Sequence, residues 1–312
     1  MEKRTLTLKD SAIALLIAFL ISQLFVIIGE LIISAILATI NYTQSQINAF
    51  FNTAFGYMLS AILQLSAFVS VFIYYCKKTS LKKDCFEKKI NAKHAIIFII
   101  IGIITSFALT NFINYYSLVL NLFNKPTTLF PYEINNIKNY LLSIVSLAIF
   151  PAIGEELIFR GIIFNGLKQK GTLFAIIVSS LFFTLFHFNL SQLFYPFLFG
   201  LILGFVYSKT KNLSIPIIIH FVNNALNISI QYFSKSESFQ PNTLNLIFMI
   251  LGVFIYIAII SYFFISNYKQ EKQTNNSQNK NNSIKMLRKD MLSFWLPIVF
   301  MVFLYIILIW GA

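Results

Sequence analysis

SAIALLIAFLISQLFVIIGELIISAILATI, residues 11–40, decides the class of the fold. Glu30 is the only charged residue in the run. At about 1.5 Å per helical residue the stretch is longer than a ~30 Å hydrocarbon core is thick, so it reads as a long, tilted spanning helix. Lys3, Arg4 and Lys9 precede it. The run nevertheless far exceeds the ~7–15 apolar residues of a cleavable signal core, and a retained first span is expected.

Further apolar runs follow at about 52–76, 94–121, 140–165, 172–189, 193–208, 214–233, 244–266 and 294–311. The run 193–208 is short for a span, which makes the count eight or nine. Composition agrees: 57% of the chain is hydrophobic and 11% charged, with a mean hydropathy of +0.74. A soluble domain carries about 25% charged residues, so this chain cannot cover a water-facing surface. The expected fold is all-α, a polytopic transmembrane helix bundle. Its divisions are N-terminal transmembrane helices (1–139), a core (140–233), an additional transmembrane helix (234–266), a flexible basic cytoplasmic linker (267–293) and a C-terminal transmembrane helix (294–312).

The net charge of +13 suggests nucleic acid until its distribution is read. Twenty of the 24 Lys and Arg fall before Asp10 and in 77–93, 166–171, 209–213 and 267–293. Three, Lys125, Lys138 and Lys235, fall in the alternate segments, and Arg160 lies inside a span. Such a bias is a topology signal that puts the N-terminus in the cytoplasm and excludes a nucleic-acid partner. Cys76 and Cys85 offer neither a disulfide framework nor metal-ligand spacing.

Charges inside spans cost at least ~2.5–3.5 kcal/mol each at mid-bilayer and need partners, a wet cavity or a function. The acids there are Glu30, Glu155 and Glu156, and the base is Arg160. Glu156 and Arg160 are four apart and share a helix face, so an ion pair is expected. Glu155 lies about 140° from Arg160 and stays outside that pair. His94 reads as an interfacial residue at the mouth of its span. His187 and His220 fall within spans, and Asn224 follows His220 by one turn on the same face. Glu155 and His187 are each 16 residues from a turn near Gly171, which puts both roughly 20 Å into the membrane. His220 and Asn224 reach a similar depth from a turn near Lys211. A carboxylate, two imidazoles and a carboxamide then share one layer, and those groups suffice to activate water and hold an oxyanion. The bland reading of the same layer is polar glue between helices.

Glu155-Glu156-xxx-Arg160, Phe183-xxx-His187 and His220-xxx-Asn224, in order on successive spans, resemble the CAAX protease and bacteriocin-processing family, also called CPBP or Abi. Type II CAAX prenyl endopeptidases are its eukaryotic relatives. The likeness covers about 140–230. It implies an intramembrane endopeptidase with Glu155 as general base, His187 beside the water, His220 and Asn224 at the oxyanion, and Glu156 and Arg160 in support. It implies a membrane-associated peptide or lipidated protein as substrate, and the cell membrane of a prokaryote as location. No cofactor is obligatory on this reading, while zinc or another divalent metal on Glu155, His187 and His220 stays open. Two rival classes also stay open: a catalytically idle scaffold or bacteriocin immunity factor, and a transporter using Glu155 as a proton site.

Overall fold

The protein is seen here in a computed structural model that describes residues 4–86, 92–123, 132–233 and 241–277, with short pieces at 294–295, 298–303 and 306. Its principal helices are α1 (Leu8–Thr39), α2 (Gln44–Phe51), α3 (Ala54–Lys78), α4 (Leu81–Cys85) and α5 (Ala92–Leu122). They continue with α6 (Ile137–Lys170), α7 (Thr172–Phe186), α8 (Phe194–Thr210), α9 (Ser214–Phe233) and α10 (Thr243–Ser277). No strand forms among the described residues, and the chain is an all-α integral membrane protein.

Six stretches are long and apolar enough to cross a bilayer: α1, α3, Ala95–Leu122 in α5, α6, Leu190–Thr210 and Thr243–Tyr268 in α10. Two expected spans depart from that standard for different reasons. Helix α7 is apolar but has 15 residues, about 22 Å at the usual rise. Helix α9 has 20 residues, but His220, Asn223, Asn224 and Asn227 dilute its apolar character. The expected span 172–189 ends early, at Phe186, because the backbone turns: Phe188 takes a left-handed φ of 45° and Asn189 accepts a bond from the Ser191 N–H at 2.9 Å. Helix α10 runs on to Ser277, so 267–277 of the expected linker is helical. The rest of that linker, half of the expected last span and the side chain of His94 lie outside the described residues.

Local signals explain the element boundaries. Thr7 and Asp10 form a reciprocal capping box at the start of α1, and Thr43 with Gln46 does the same for α2. Asn136 caps α6 through the Asn139 N–H at 2.9 Å. Gly171, at φ 115°, makes the tight turn from α6 into α7 in a backbone region closed to other residues.

The basic segments gather at one end of the bundle. Ser80 N–H donates to Arg4 O at 3.2 Å, Gln169 Nε2 donates to Leu6 O, and Leu213 N–H donates to Cys85 O at 2.9 Å. The stretches before α1, between α3 and α5, at the end of α6 and between α8 and α9 are thereby tied together. Buried Cys85 is part of this plate and is in no disulfide.

Packing is densest around α6 and α8. Ile158, Phe159, Ile162 and Ile163 of α6 join Leu15 of α1, Ile176 of α7 and Phe205 of α8 in one core, all fully buried. A second core sets Leu109 of α5 against Ile202, Leu203 and Val206 of α8 and Ile219 of α9. Gly200 and Gly204 of α8 allow close approach to α7: a Cβ would come within 3.1 Å of Ser180 at the first and 3.3 Å of Ile176 at the second. Large apolar side chains exposed along α1 and α10, such as Leu31, Ile32, Phe254 and Ile257, face where lipid would lie.

Candidate active site

Helix α6 carries the acids, and its backbone is not a plain α-helix there. Ile144–Ile149 and Leu157–Phe164 are π-helical and flank the α-helical Phe150–Glu156. Such bulges widen the turn and recur at functional sites. Arg160 nevertheless reaches Glu156 one turn away, with Nη1 donating to Oε1 at 2.8 Å, both side chains fully buried. The guanidinium Nη2 donates to Gly200 O at 3.0 Å on α8. Its plane lies over the Phe183 ring, 4.8 Å from the centroid, a cation–π contact from α7. The buried charge thus has three kinds of partner, on three helices.

His220 of α9 joins the same cluster. Its Nδ1 is 3.0 Å from Glu156 Oε1, and its Nε2 is 3.8 Å from Glu155 Oε2. Glu156, already the acceptor for Arg160, accepts from the Nδ1–H and so fixes which face of the imidazole looks at Glu155. Glu155 keeps 15% of its side chain exposed while Glu156 keeps none. Adjacent in sequence, the two carboxylates occupy different environments, one locked and one open.

His187 stands at the end of α7, half-buried. Its Nδ1 is 2.7 Å from Phe183 O. A carbonyl only accepts, so Nδ1 carries the proton and Nε2 of the neutral ring is left with a lone pair. The Phe183 ring meets both imidazoles edge-on, at 4.9 Å from His187 and 5.8 Å from His220. His187 is therefore linked to the Glu155/Glu156/Arg160/His220 cluster through an aromatic ring and not through a hydrogen bond.

Asn224 follows His220 by one turn and bonds elsewhere. Pro151 has no N–H, so no α-register bond can reach Leu147 O, and Asn224 Nδ2 donates to that carbonyl at 3.1 Å. Its Oδ1 accepts from Asn223 Nδ2 at 3.1 Å. Asn223 in turn accepts from the Tyr195 hydroxyl of α8. Sequence reasoning missed Asn223, Tyr195 and the contact between His220 and Glu156. Asn223 was detectable as a second buried amide beside Asn224; Tyr195 and the Glu156 contact need the tertiary packing.

The ligand set open to a divalent metal does not close in this arrangement. His187 turns Nε2 away from its Phe183 O contact, while His220 Nε2 lies 3.8 Å from Glu155, and among the described residues no three His, Cys, Asp or Glu side chains stand together as a metal-holding group.

Residues 137–226 match the model of the family described as type II CAAX prenyl endopeptidase Rce1-like. That segment is similar to the CAAX endopeptidases. It contains α6, α7, α8 and the first part of α9, hence every residue of the cluster. The chain is also 31% identical over 116 residues to the Bacillus subtilis protein named "Putative membrane peptidase YdiL". That match covers 37% of this chain and 47% of the relative, so the chain spans about half the length of the protein it matches. No solved structure matches the chain. Within the matched segment His220 of α9 meets both glutamates of α6, His187 reaches that cluster through Phe183 of α7, and Asn224 of α9 is bonded to Leu147 O of α6.

Proposed function

We propose that the protein is an intramembrane endopeptidase that hydrolyses a membrane-associated or lipidated peptide, with Glu155 as general base. The observation that carries this reading is the contrast between neighbouring carboxylates. Glu156 is held by Arg160 and His220, whereas Glu155 is partly exposed with one oxygen 3.8 Å from His220 Nε2.

The chemistry follows from the donor and acceptor states. His187 Nε2 accepts one hydrogen of a water and Glu155 accepts the other as the water oxygen attacks the peptide carbonyl carbon. The carbonyl oxygen becomes an oxyanion. Asn224 Nδ2 has two N–H groups, one engaged by Leu147 O and one left for that oxyanion. In its doubly protonated form His220 donates Nδ1–H to Glu156 and Nε2–H to the same oxyanion. The charges of Glu155, Glu156, Arg160 and His220 then sum to zero before reaction, which suits a site poor in water. Glu155 finally gives its proton to the leaving amine as the C–N bond breaks. Burial of Arg160 and Glu156 beneath the layer keeps bulk water on one side of it.

The four basic segments tied at one end of the bundle support a cytoplasmic location for that end and for the N-terminus with it. The bacterial relative makes the membrane of a prokaryotic cell the natural location, with the lipid bilayer as surroundings for enzyme and substrate. The test compares wild type, Glu155→Ala and His220→Ala, purified in detergent, on candidate lipidated and unlipidated peptides. Cleavage by wild type alone is expected; equal cleavage by all three contradicts the assignment.

A further inference from the structure

A carboxamide has two orientations, and the oxyanion role of Asn224 requires the one that leaves an N–H available. We propose that Asn223 and Tyr195 are positioning residues that hold Asn224 in that orientation. The inference rests on the peptidase reading above.

The polarity of the chain can be deduced from its far end. Leu147 O, which has no α-register partner because residue 151 is proline, can only accept, so Asn224 must turn its nitrogen to it. Asn224 Oδ1 then faces Asn223, which must present its own nitrogen, and does so at 3.1 Å. Asn223 Oδ1 therefore faces outward along the chain and accepts from the Tyr195 hydroxyl. Reversing any one amide would set oxygen against oxygen or nitrogen against nitrogen along the line. Asn223 is 3% exposed, so water offers it little alternative.

Tyr195 braces the neighbouring imidazole as well. Its ring stacks on Phe199, 5.8 Å apart and 11° from parallel, and the Phe199 ring meets His220 at 5.9 Å. One residue at the start of α8 is thus linked to both branches of the oxyanion site, to Asn224 through Asn223 and to His220 through the Phe199 ring. Neither Tyr195 nor Asn223 bonds to Glu155 or His187 themselves, so their effect passes through residues of α9.

The experiment measures kcat and KM for full-length enzyme on a peptide that wild type cleaves, in Asn223→Asp, Tyr195→Phe and the double variant. Aspartate cannot donate to Asn224 Oδ1, so kcat should fall on the order of 10- to 100-fold with KM within about twofold of wild type. Tyr195→Phe keeps the stacking and removes the hydroxyl, which bonds Asn223 and also Ser106 and Asn227, for a loss in kcat of roughly 2- to 10-fold. The double variant should be no worse than Asn223→Asp, because the residues act in series. Wild-type kcat in both single variants, or losses that multiply, overturns the positioning role. Glu155→Gln and Asn224→Ala run alongside: full activity there sinks the peptidase reading itself, a separate outcome. An arm independent of activity is an experimental structure of Tyr195→Phe and Asn223→Asp. An Asn224 carboxamide less ordered or reversed in the Asp variant is expected, and one still donating to Leu147 O in an unchanged pose overturns the proposal.

Discussion

Leu147–Glu155 and Glu156–Leu167 are consecutive stretches of α6 with opposite surroundings. In the second, Glu156, Ile158, Phe159, Arg160, Ile162, Ile163 and Leu167 have no exposed surface. In the first, Leu147, Pro151, Ile153 and Glu155 are half-buried, and the backbone gives up Leu147 O to a side chain of α9. The boundary falls between two adjacent glutamates. One side of it fixes charge inside packed helices; the other leaves a carboxylate partly exposed. On the proposed function, stability and chemistry are separable along this one helix.

That separation can be broken at its strongest point by Arg160→Leu, which leaves Glu156 buried without its cation. A stability loss of about 3–5 kcal/mol is expected from denaturation in detergent, and an unchanged transition would mean the pair does not hold the closed half together. Asn224→Ala should act on the other half. A fall in kcat of about 10²–10³-fold with little change in unfolding is expected; the reverse pattern would make Asn224 a structural strut only. Gly166→Ala probes the closed half without touching charge. A Cβ there would lie 2.5 Å from Thr7 O and press on Ser11 Oγ, so a loss of roughly 1–3 kcal/mol is expected, read as a lower thermal midpoint. The smallest effect belongs to Glu30, remote from both halves, which accepts from Ser60 Oγ at 2.8 Å. Glu30→Gln keeps an acceptor there and should change stability by less than about 1 kcal/mol and leave cleavage intact.

The sequence was most legible where one physical effect dominated. Apolar length delimits α1, α3 and α5 closely, because polar groups in lipid are costly and charged or uncharged polar residues, such as Asn41–Gln46 after α1, mark the ends. The Glu156–Arg160 pair was legible from spacing alone and survives even though Arg160 lies in a π-helical stretch. The end of α7 was not legible: Phe188 and Leu190 prolong the apolar pattern while the chain turns at Phe188. The π-helical stretches were equally hidden, since their composition is that of any apolar helix. In the site, residue types and depth named the candidates, but partners depend on distances between helices. No spacing rule places His220 on Glu156, sixty-four residues away, or ties Asn224 to a carbonyl vacated by proline.

The boundary between the two glutamates is tested most directly by comparing Glu155→Gln with Glu156→Gln in single-turnover cleavage and in unfolding. Glu155→Gln is expected to lose about 10²–10⁴-fold in rate while keeping the wild-type midpoint, and Glu156→Gln to lose midpoint by unbalancing Arg160. A Glu155→Gln enzyme that cleaves at the wild-type rate would contradict the account.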